Sequence, residues 1–398
     1  MTTLSVVIPA FNEEGGIAAI AERVLAIKAD LAGAGVDDLE LLVVDDGSKD
    51  RTAAIAEAIP GVRLIRHPQN RGYGAALKTG FSQARGELIG FLDADGTYPP
   101  EYFPSLCARA MDGSDLVIGS RMAGERSQMP LTRRIGNLLF ARLLSVLGRQ
   151  KVTDTASGMR VFKREVLERF YPLPDGLNLT PVMSTRALHE DIGMAEVAIP
   201  YSERVGRSKL KVMQDGSVFL RSIIWTALSY NPVRLLGLMG LAGVAFAIVV
   251  AAGLVMLRLS GVTQLLPWQV AMLFGALVAG VTGISVFALG STFNYLVSLF
   301  YKKPVRQGLF GKPLFTPSLD QHFGWIGLLG LAAGMLLALM ALALGLNGWD
   351  IERLWLYLLA SAMVMLVSVQ LVLYWVLMRV LEELSQREGL TQKDMGAG

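Results

Sequence analysis

The sequence predicts a doubly wound, mostly parallel α/β domain followed by an all-α membrane domain of four helices. Three observations carry that expectation. Over the first 230 or so residues, short apolar runs rich in β-branched residues alternate with helix-like stretches, the pattern of strands joined by crossover helices. Beyond them, four long uncharged runs follow one another, each meeting the roughly 20 residues needed to cross a bilayer. The chain of 398 residues is also 52% hydrophobic, with a mean hydropathy of +0.45, which is too apolar for two ordinary soluble domains.

The expected strands are Leu4 to Ile8, Leu39 to Val44, Val62 to Ile65, Ile89 to Leu92 and Leu116 to Ile118. A parallel sheet binds its ligands at the carboxyl ends of the strands, so the polar strings there are the candidate site. They are PAFNEE after the first strand, DDGSKD after the second, DADGTYPP after the fourth and GSR after the fifth, and all four converge on one sheet edge. The reading divides the chain into a catalytic domain at 1–204, an interfacial amphipathic segment at 205–230 and a membrane domain at 231–398. The middle segment sets Lys209, Lys211 and Arg221 among Leu210, Phe219, Ile223 and Trp225, which suits a helix lying at the headgroups or simply the lead-in to the first span.

The spans are Leu235 to Leu257, Trp268 to Phe300, Gly324 to Leu346 and Leu354 to Met378. The second exceeds what a bilayer requires, so it tilts or extends beyond the lipid. Lys302, Lys303, Arg306 and Lys312 after the second span, and Arg379 after the fourth, put those segments on the cytoplasmic side, whereas NGWDIERLW suits the opposite one. The start, MTTLSVVIPAFNEE, does not read as a signal peptide. The expectation is a multi-pass protein of the inner (plasma) membrane with its catalytic domain and both termini cytoplasmic.

A net charge of +3 spread among acidic residues points away from nucleic acid. The single cysteine, Cys107, excludes an intramolecular disulfide and a multi-cysteine zinc site, and three histidines leave little scope for a histidine cage. Nothing in the composition decides between a single copy and a homo-oligomer.

The sharpest local signal is Asp93-Ala94-Asp95 after the apolar strand, followed by Gly96, Pro99 and Pro100. Two carboxylates one residue apart can turn toward a hard cation, Mg2+ or Mn2+, that takes its other ligands from water and phosphate oxygens. A lone pair of this kind reads equally well as solvated turn residues; the neighbouring strings favour the cation. Asp45 and Asp46 end the second strand and can accept from ribose hydroxyls or a base N–H, while Ser48 or Asp50 can cap the helix near Thr52. Glu13 or Glu14, after the turn at Pro9, suits the nucleoside or the first turn of a helix. NRGYGAALKTGF puts two glycines at a helix start beside Lys78, a weak anion-binding pattern.

In this order and spacing the strings resemble family 2 glycosyltransferases, whose GT-A fold binds a nucleotide-sugar and a divalent cation. GSR at 119–121, RRIGN at 133–137, DTASGMRVF at 154–162 and YSERVGRSKL at 201–210 are similar to the polyprenyl-phosphate branch, which includes dolichol-phosphate mannose synthases. That resemblance implies a UDP- or GDP-sugar donor and a polyisoprenyl phosphate acceptor. It implies that Glu13, Asp45 and Asp46, with Pro9 at the turn, hold the nucleoside, that Asp93 and Asp95 hold the metal, and that Lys78 approaches the diphosphate. Arg121 and Arg133 match arginines on the acceptor phosphate, and Arg204, Ser208 and Lys209 match a loop closing over phosphate groups. Two departures stand out: Thr97 replaces a frequent glutamine, and Asn137 stands where a serine can assist the lipid phosphate. Asp154 suits orienting or assisting the acceptor, or an ordinary cap. The QxxRW string of processive polysaccharide synthases is missing, and a non-catalytic scaffold would be expected to lose the aspartates that stand here at 93 and 95.

Overall fold

The computed structural model describes residues 2–122, 129–147, 152–202, 212–262, 265–301, 319–349 and 351–394. Arg204, Ser208 and Lys209, like Lys302, Lys303, Arg306 and Lys312, lie outside the described residues. The chain forms two compact units, 1–227 and 228–398.

The first unit is built on strands β1 (Thr3–Ala10), β2 (Asp38–Asp45), β3 (Val62–Arg66), β4 (Leu88–Phe91), β5 (Leu116–Ser120), β6 (Arg160–Lys163) and β7 (Met194–Ala198). Its helices are α1 (Ile17–Ala26), α2 (Lys28–Leu31), α3 (Thr52–Glu57), α4 (Tyr73–Gln83), α5 (Phe103–Met111), α6 (Leu131–Leu147), α7 (Leu167–Phe170), α8 (Leu179–His189) and α9 (Val212–Tyr230). The sheet order is β3-β2-β1-β4-β6-β5-β7. β1 pairs in parallel with β2 and β4, β2 with β3, and β5 with β7. The five expected strands are present, and β6 and β7 are additional.

β6 matters most for the site. It inserts between β4 and β5 and runs antiparallel to both, so β4 and β5 still point the same way. The carboxyl ends of β1, β2, β4 and β5 therefore share one edge, and β6 enters the sheet from that edge, bringing DTASGM with it. The strand is held there by Phe162, fully buried with its ring edge-on to Phe81 at 5.2 Å and to Phe170 at 5.5 Å. Such pairs add about 0.5–1.5 kcal/mol each beyond their area. Four residues with charged ends, RVFK, carry too little alternation to read as a strand.

The expected linker is mostly helix. α9 rests on the first unit, with Phe219 6.2 Å from Phe140 of α6 and Ser222 Oγ accepting from Asn178 Nδ2 at 2.8 Å.

The second unit consists of α10 (Pro232–Leu259), α11 (Pro267–Tyr301), α12 (Leu319–Leu346) and α13 (Ile351–Asp394). Each holds a segment long and apolar enough to span a membrane: Pro232–Leu257, Pro267–Phe300, Gln321–Leu346 and Tyr357–Leu384. α10 and α11 meet backbone to backbone: a Cβ at Gly240 would lie 2.4 Å from Gly283 O, and one at Gly283 2.6 Å from Gly240 O. Ser285 Oγ on α11 bonds Gln370 Oε1 on α13 at 2.5 Å, giving two polar groups a partner away from water. α13 continues as one helix to Asp394, well past the expected end of the fourth span.

Candidate active site

A cavity of about 490 Å3 is lined by residues that follow the carboxyl ends of β1, β2, β4 and β5, together with α6 and α9. Pro9, Glu13, Asp46, Asp93 and Asp95 line it, and so do Arg121, Arg133 and Asn137, with Phe140 and Phe219 supplying apolar wall. The sheet edge thus brings together most of the residues singled out in sequence.

Asp93 and Asp95 follow β4, a fully buried strand with no side-chain polar group, so the chain's first carboxylates after it stand at its rim. Asp93 Oδ1 accepts from the Tyr73 hydroxyl at 2.8 Å. Gly158 backs the same carboxylate so closely that a Cβ there would lie 2.5 Å from Oδ2. Asp95 Oδ1 accepts from Thr97 N–H at 3.2 Å and from Thr97 Oγ1 at 2.6 Å, a turn that aims the carboxylate. Thr97 therefore buttresses Asp95. Among the described residues no group of three or more His, Cys, Asp or Glu gathers to hold a metal. An all-oxygen pair facing one cavity fits Mg2+ or Mn2+, which complete their shells from water and phosphate, better than zinc. Burial and the neighbouring Asp93 carboxylate push the Tyr73 hydroxyl well above its ordinary range, so it serves as a neutral donor.

Glu13 lies on the cavity wall, where its backbone carbonyl accepts from Gly16 and Ile17 N–H, both at 3.0 Å, and so starts α1. Glu14 Oε2 instead pairs with Arg51 Nε at 3.4 Å. Asp50, rather than Ser48, receives Thr52 N–H at the start of α3, at 3.0 Å. Asp45 accepts from Ser48 N–H at 3.3 Å and does not reach the cavity wall, whereas Asp46 does. Both Asp46 oxygens are engaged: Oδ1 with His67 Nδ1 at 2.7 Å and Arg71 N–H at 2.9 Å, Oδ2 with Gly72 N–H at 2.8 Å.

The helix start predicted to attract an anion is filled by the chain's own acceptors. Arg71 and Gly72 N–H go to Asp46, while Gly74 and Ala75 N–H go to Asp175 O at 2.7 and 3.2 Å. Lys78 is also drawn away from the cavity, its Nζ reaching Leu173 O at 2.9 Å and Asp175 Oδ1 at 2.7 Å. The cause is the loop through Leu173–Asp175, which closes over α4 so tightly that a Cβ at Gly74 would lie 2.2 Å from Pro174 O.

On the other side of the cavity, the Arg121 fork grips Asp154 at both oxygens, Nε to Oδ2 at 2.7 Å and Nη2 to Oδ1 at 2.8 Å. Asp154 is fully buried behind Arg121 and also accepts from Ala156 N–H at 3.3 Å, so it meets Arg121 and its own turn rather than the cavity. Burial alone would raise the Asp154 carboxyl, but the Arg121 charge and hydrogen bonds outweigh it and hold the carboxyl below its ordinary value. Arg121 also faces the rings of Tyr98 and Tyr201, at 5.8 and 5.4 Å. Asn137 Nδ2 donates to Thr153 O at 3.1 Å and its Oδ1 accepts from Thr155 N–H at 3.2 Å, tying α6 to the DTAS turn. Beneath that turn, fully buried Arg160 donates to Ser157 O, Thr155 O and Ser184 Oγ, and burial lowers it to about 10.

His67, Tyr73, Tyr98, Arg160 and Tyr201 were not singled out in sequence. Four of them lie in or next to strings that were, NRGYG, DADGTYPP, DTASGMRVF and YSERVGRSKL, but nothing in a string marks which member faces its neighbours.

The sequence profile of glycosyl transferase family 2 matches residues 5–170, and one described as a domain of unknown function (DUF8752) matches 232–392. The chain is 38% identical over 232 residues to the low-salt glycan biosynthesis hexosyltransferase Agl6 of Haloferax volcanii, covering 57% of this chain and 54%, about half, of that relative. It is 34% identical to the dolichyl-phosphate hexose transferase of the same organism, covering 56% of this chain and 92% of the relative. An undecaprenyl-phosphate 4-deoxy-4-formamido-L-arabinose transferase of Photorhabdus laumondii is 30% identical, covering 78% and 87% respectively. Among solved structures, glucosyl-3-phosphoglycerate synthase of Mycobacterium tuberculosis, in complex with Mn2+, UDP and phosphoglyceric acid, aligns with a TM-score of 0.46 at 24% identity over 57% of this chain and 78% of that one.

Proposed function

Because this chain belongs to glycosyl transferase family 2, we propose that it transfers a sugar from a nucleoside diphosphate to the phosphate of a polyisoprenyl lipid at the cytoplasmic face of a membrane. The observation that carries this reading is one cavity bearing a carboxylate pair, Asp93 and Asp95, and two arginines, Arg121 and Arg133. The carboxylates suit a cation-bound diphosphate. The arginines suit a second phosphate, which a neutral acceptor does not need.

In the reaction an oxygen of the acceptor phosphate forms a bond to the anomeric carbon while the bond from that carbon to the donor diphosphate breaks, and the nucleoside diphosphate leaves. The acceptor is already anionic at neutral pH, so no side chain has to take its proton. A bound Mg2+ or Mn2+ would offset charge on the departing diphosphate. What the chain itself supplies is placement. Asp93 and Asp95 would hold the cation, Glu13 and Pro9 line the nucleoside side, and Arg121 and Arg133 receive the lipid phosphate; the resemblance assigns Arg204, Ser208 and Lys209, which lie outside the described residues, to phosphate groups as well. Asp154 acts through Arg121.

Two helices support a lipid acceptor. α6 exposes Leu131 (70%), Ile135 (51%), Leu138, Leu139 (60%) and Val146 (54%). At 3.6 residues per turn these fall within an arc of about 100°. α9 exposes Val218, Leu220 and Trp225. Exposed apolar side chains interspersed with the exposed Arg134 and Arg142 on α6 and Arg221 on α9 suit a bilayer interface.

The acceptor assignment is tested on Arg133. Its replacement by alanine removes a charge-assisted contact worth about 1.5–3 kcal/mol, roughly ten- to a hundredfold in acceptor affinity. Nucleotide binding without lipid should change much less, and Arg133→Lys should recover only part of the loss. Steady-state transfer with polyprenyl phosphate varied reads the effect. An unchanged dependence on the lipid, or equal use of a neutral polyprenol, would overturn the assignment.

The four spans and the basic segment between the second and third predict both termini on the cytoplasmic side. A cysteine introduced at Lys303 should resist an impermeant thiol reagent in intact cells and react after permeabilisation. Labelling from outside would reverse the orientation.

A further inference from the structure

We propose that Tyr73 is the positioning residue for Asp93, and that the Asp46–His67 clamp fixes it there. The inference rests on reading Asp93 as a cation ligand. Tyr73 is the first residue of α4, and its hydroxyl donates to Asp93 Oδ1 at 2.8 Å. Its place is determined from both ends. Before it, Gly72 adopts φ +103°, a backbone that L side chains rarely take, and a Cβ there would lie 2.5 Å from Asp175 O. The N–H groups of Arg71 and Gly72 are both held by the Asp46 carboxylate, at 2.9 and 2.8 Å. After it, Thr79 Oγ1 on the same helix lies 3.0 Å from His67 Nε2, and His67 Nδ1 returns to Asp46 at 2.7 Å. Asp46, Gly72, Tyr73, Thr79 and His67 thus form a closed ring around the start of α4.

That ring delivers one hydroxyl to one oxygen of Asp93. Gly158 packs against the same carboxylate, where a Cβ would lie 2.5 Å from Oδ2 and 2.8 Å from both Cγ and Oδ1. The Tyr73 hydroxyl and the close Gly158 backbone together restrict how the carboxylate can turn. A ligand carboxylate held in this way binds its cation without first losing rotational freedom, and partners of this kind are worth roughly ten- to a hundredfold in metal affinity. The ring also joins two parts of the cavity: Asp46 follows β2 and Asp93 follows β4, and the link between them runs through the single step from Gly72 to Tyr73.

The test is direct Mn2+ binding to the full-length protein, read from the electron paramagnetic resonance of free Mn2+ in the presence of saturating UDP or GDP. Tyr73→Phe keeps the ring and removes only the hydroxyl. It should weaken Mn2+ binding about tenfold, with metal-free nucleotide binding unchanged and most transfer activity regained at high Mn2+. Gly158→Ala should weaken Mn2+ binding at least as much, by pressing on the carboxylate from the other side. Asp93→Asn separates the two levels of the argument. If it abolishes Mn2+ binding while Tyr73→Phe binds as tightly as the wild type, the role of Tyr73 is overturned and the cation site stands. If Asp93→Asn itself binds Mn2+ normally, the cation site falls and the inference with it. A purely structural role for Tyr73 would lower the melting midpoint without moving Mn2+ affinity, which would also overturn the proposal.

Discussion

Asp95→Asn is expected to reduce sugar transfer roughly a hundred- to a thousandfold, the usual consequence of deleting one preorganised charge-stabilising group. Asparagine is the informative substitution because its Oδ1 can still accept from Thr97 N–H and Oγ1, so the turn after β4 survives and only the negative charge is lost. Asp95→Ala would also abolish transfer, but it removes both hydrogen bonds, which together contribute about 1–3 kcal/mol to the fold. Neither variant touches the sheet, so both should remain folded and membrane-bound. The measurement is transfer to polyprenyl phosphate with Mg2+ or Mn2+ varied, and with excess chelator in parallel. Wild-type activity that persists in chelator, or full activity in Asp95→Asn, would remove the carboxylate pair from the mechanism.

Asp154→Ala should be the most destabilising single change in the catalytic unit. It strips a fully buried carboxylate from Arg121, whose own side chain is only 11% exposed, and leaves a guanidinium without its counter-charge. Breaking a buried pair from one side costs about 3–5 kcal/mol, whereas replacing both partners with apolar residues is often neutral. Arg121→Leu/Asp154→Leu should therefore recover much of the melting midpoint that Asp154→Ala loses, without recovering acceptor binding. The pair also carries a pH dependence. The Asp154 carboxyl is lower in the folded chain than in the unfolded one, so its contribution is present above the unfolded value of about 3.9 and is lost as pH falls toward the folded value. The gap in melting midpoint between the wild type and Asp154→Asn should narrow below about pH 4 and stay flat above about pH 5. A gap that is the same at pH 3 and pH 7 would mean that the ion pair does not stabilise the folded chain.

Much of the site could be read locally. Asp93-Ala94-Asp95 announces itself because a short apolar strand ends in carboxylates, and Glu13 because it follows the apolar first strand, although the turn expected at Pro9 comes later: Pro9 is still paired in β1, which runs to Ala10. Arg121 and Asn137 were also picked out, but for the lipid phosphate; the structure shows that each first serves the DTAS segment, Arg121 by gripping Asp154 and Asn137 by bonding Thr153 and Thr155. Lys78 and the start of α4 misled for a related reason. A glycine-rich helix start with a lysine does attract anions, yet here Asp46 and the Leu173–Asp175 loop reach it first.

By itself, the sequence determined the two-part architecture, the five parallel strands, the four apolar spans and the sheet edge on which the polar strings gather. Strand and span signals reside in runs of neighbouring residues, so hydropathy and period suffice to reveal them. Only the tertiary structure decided that β6 inserts antiparallel between β4 and β5, that Tyr73 meets Asp93 and that Asp154 faces Arg121. The first depends on strand pairing such as Ile89 with Phe162, 73 residues apart, and the other two on contacts across 20 and 33 residues of chain, at Tyr73–Asp93 and Arg121–Asp154. A buried polar group bonds to whichever partner the packed fold brings within reach, and no local pattern specifies which partner that is.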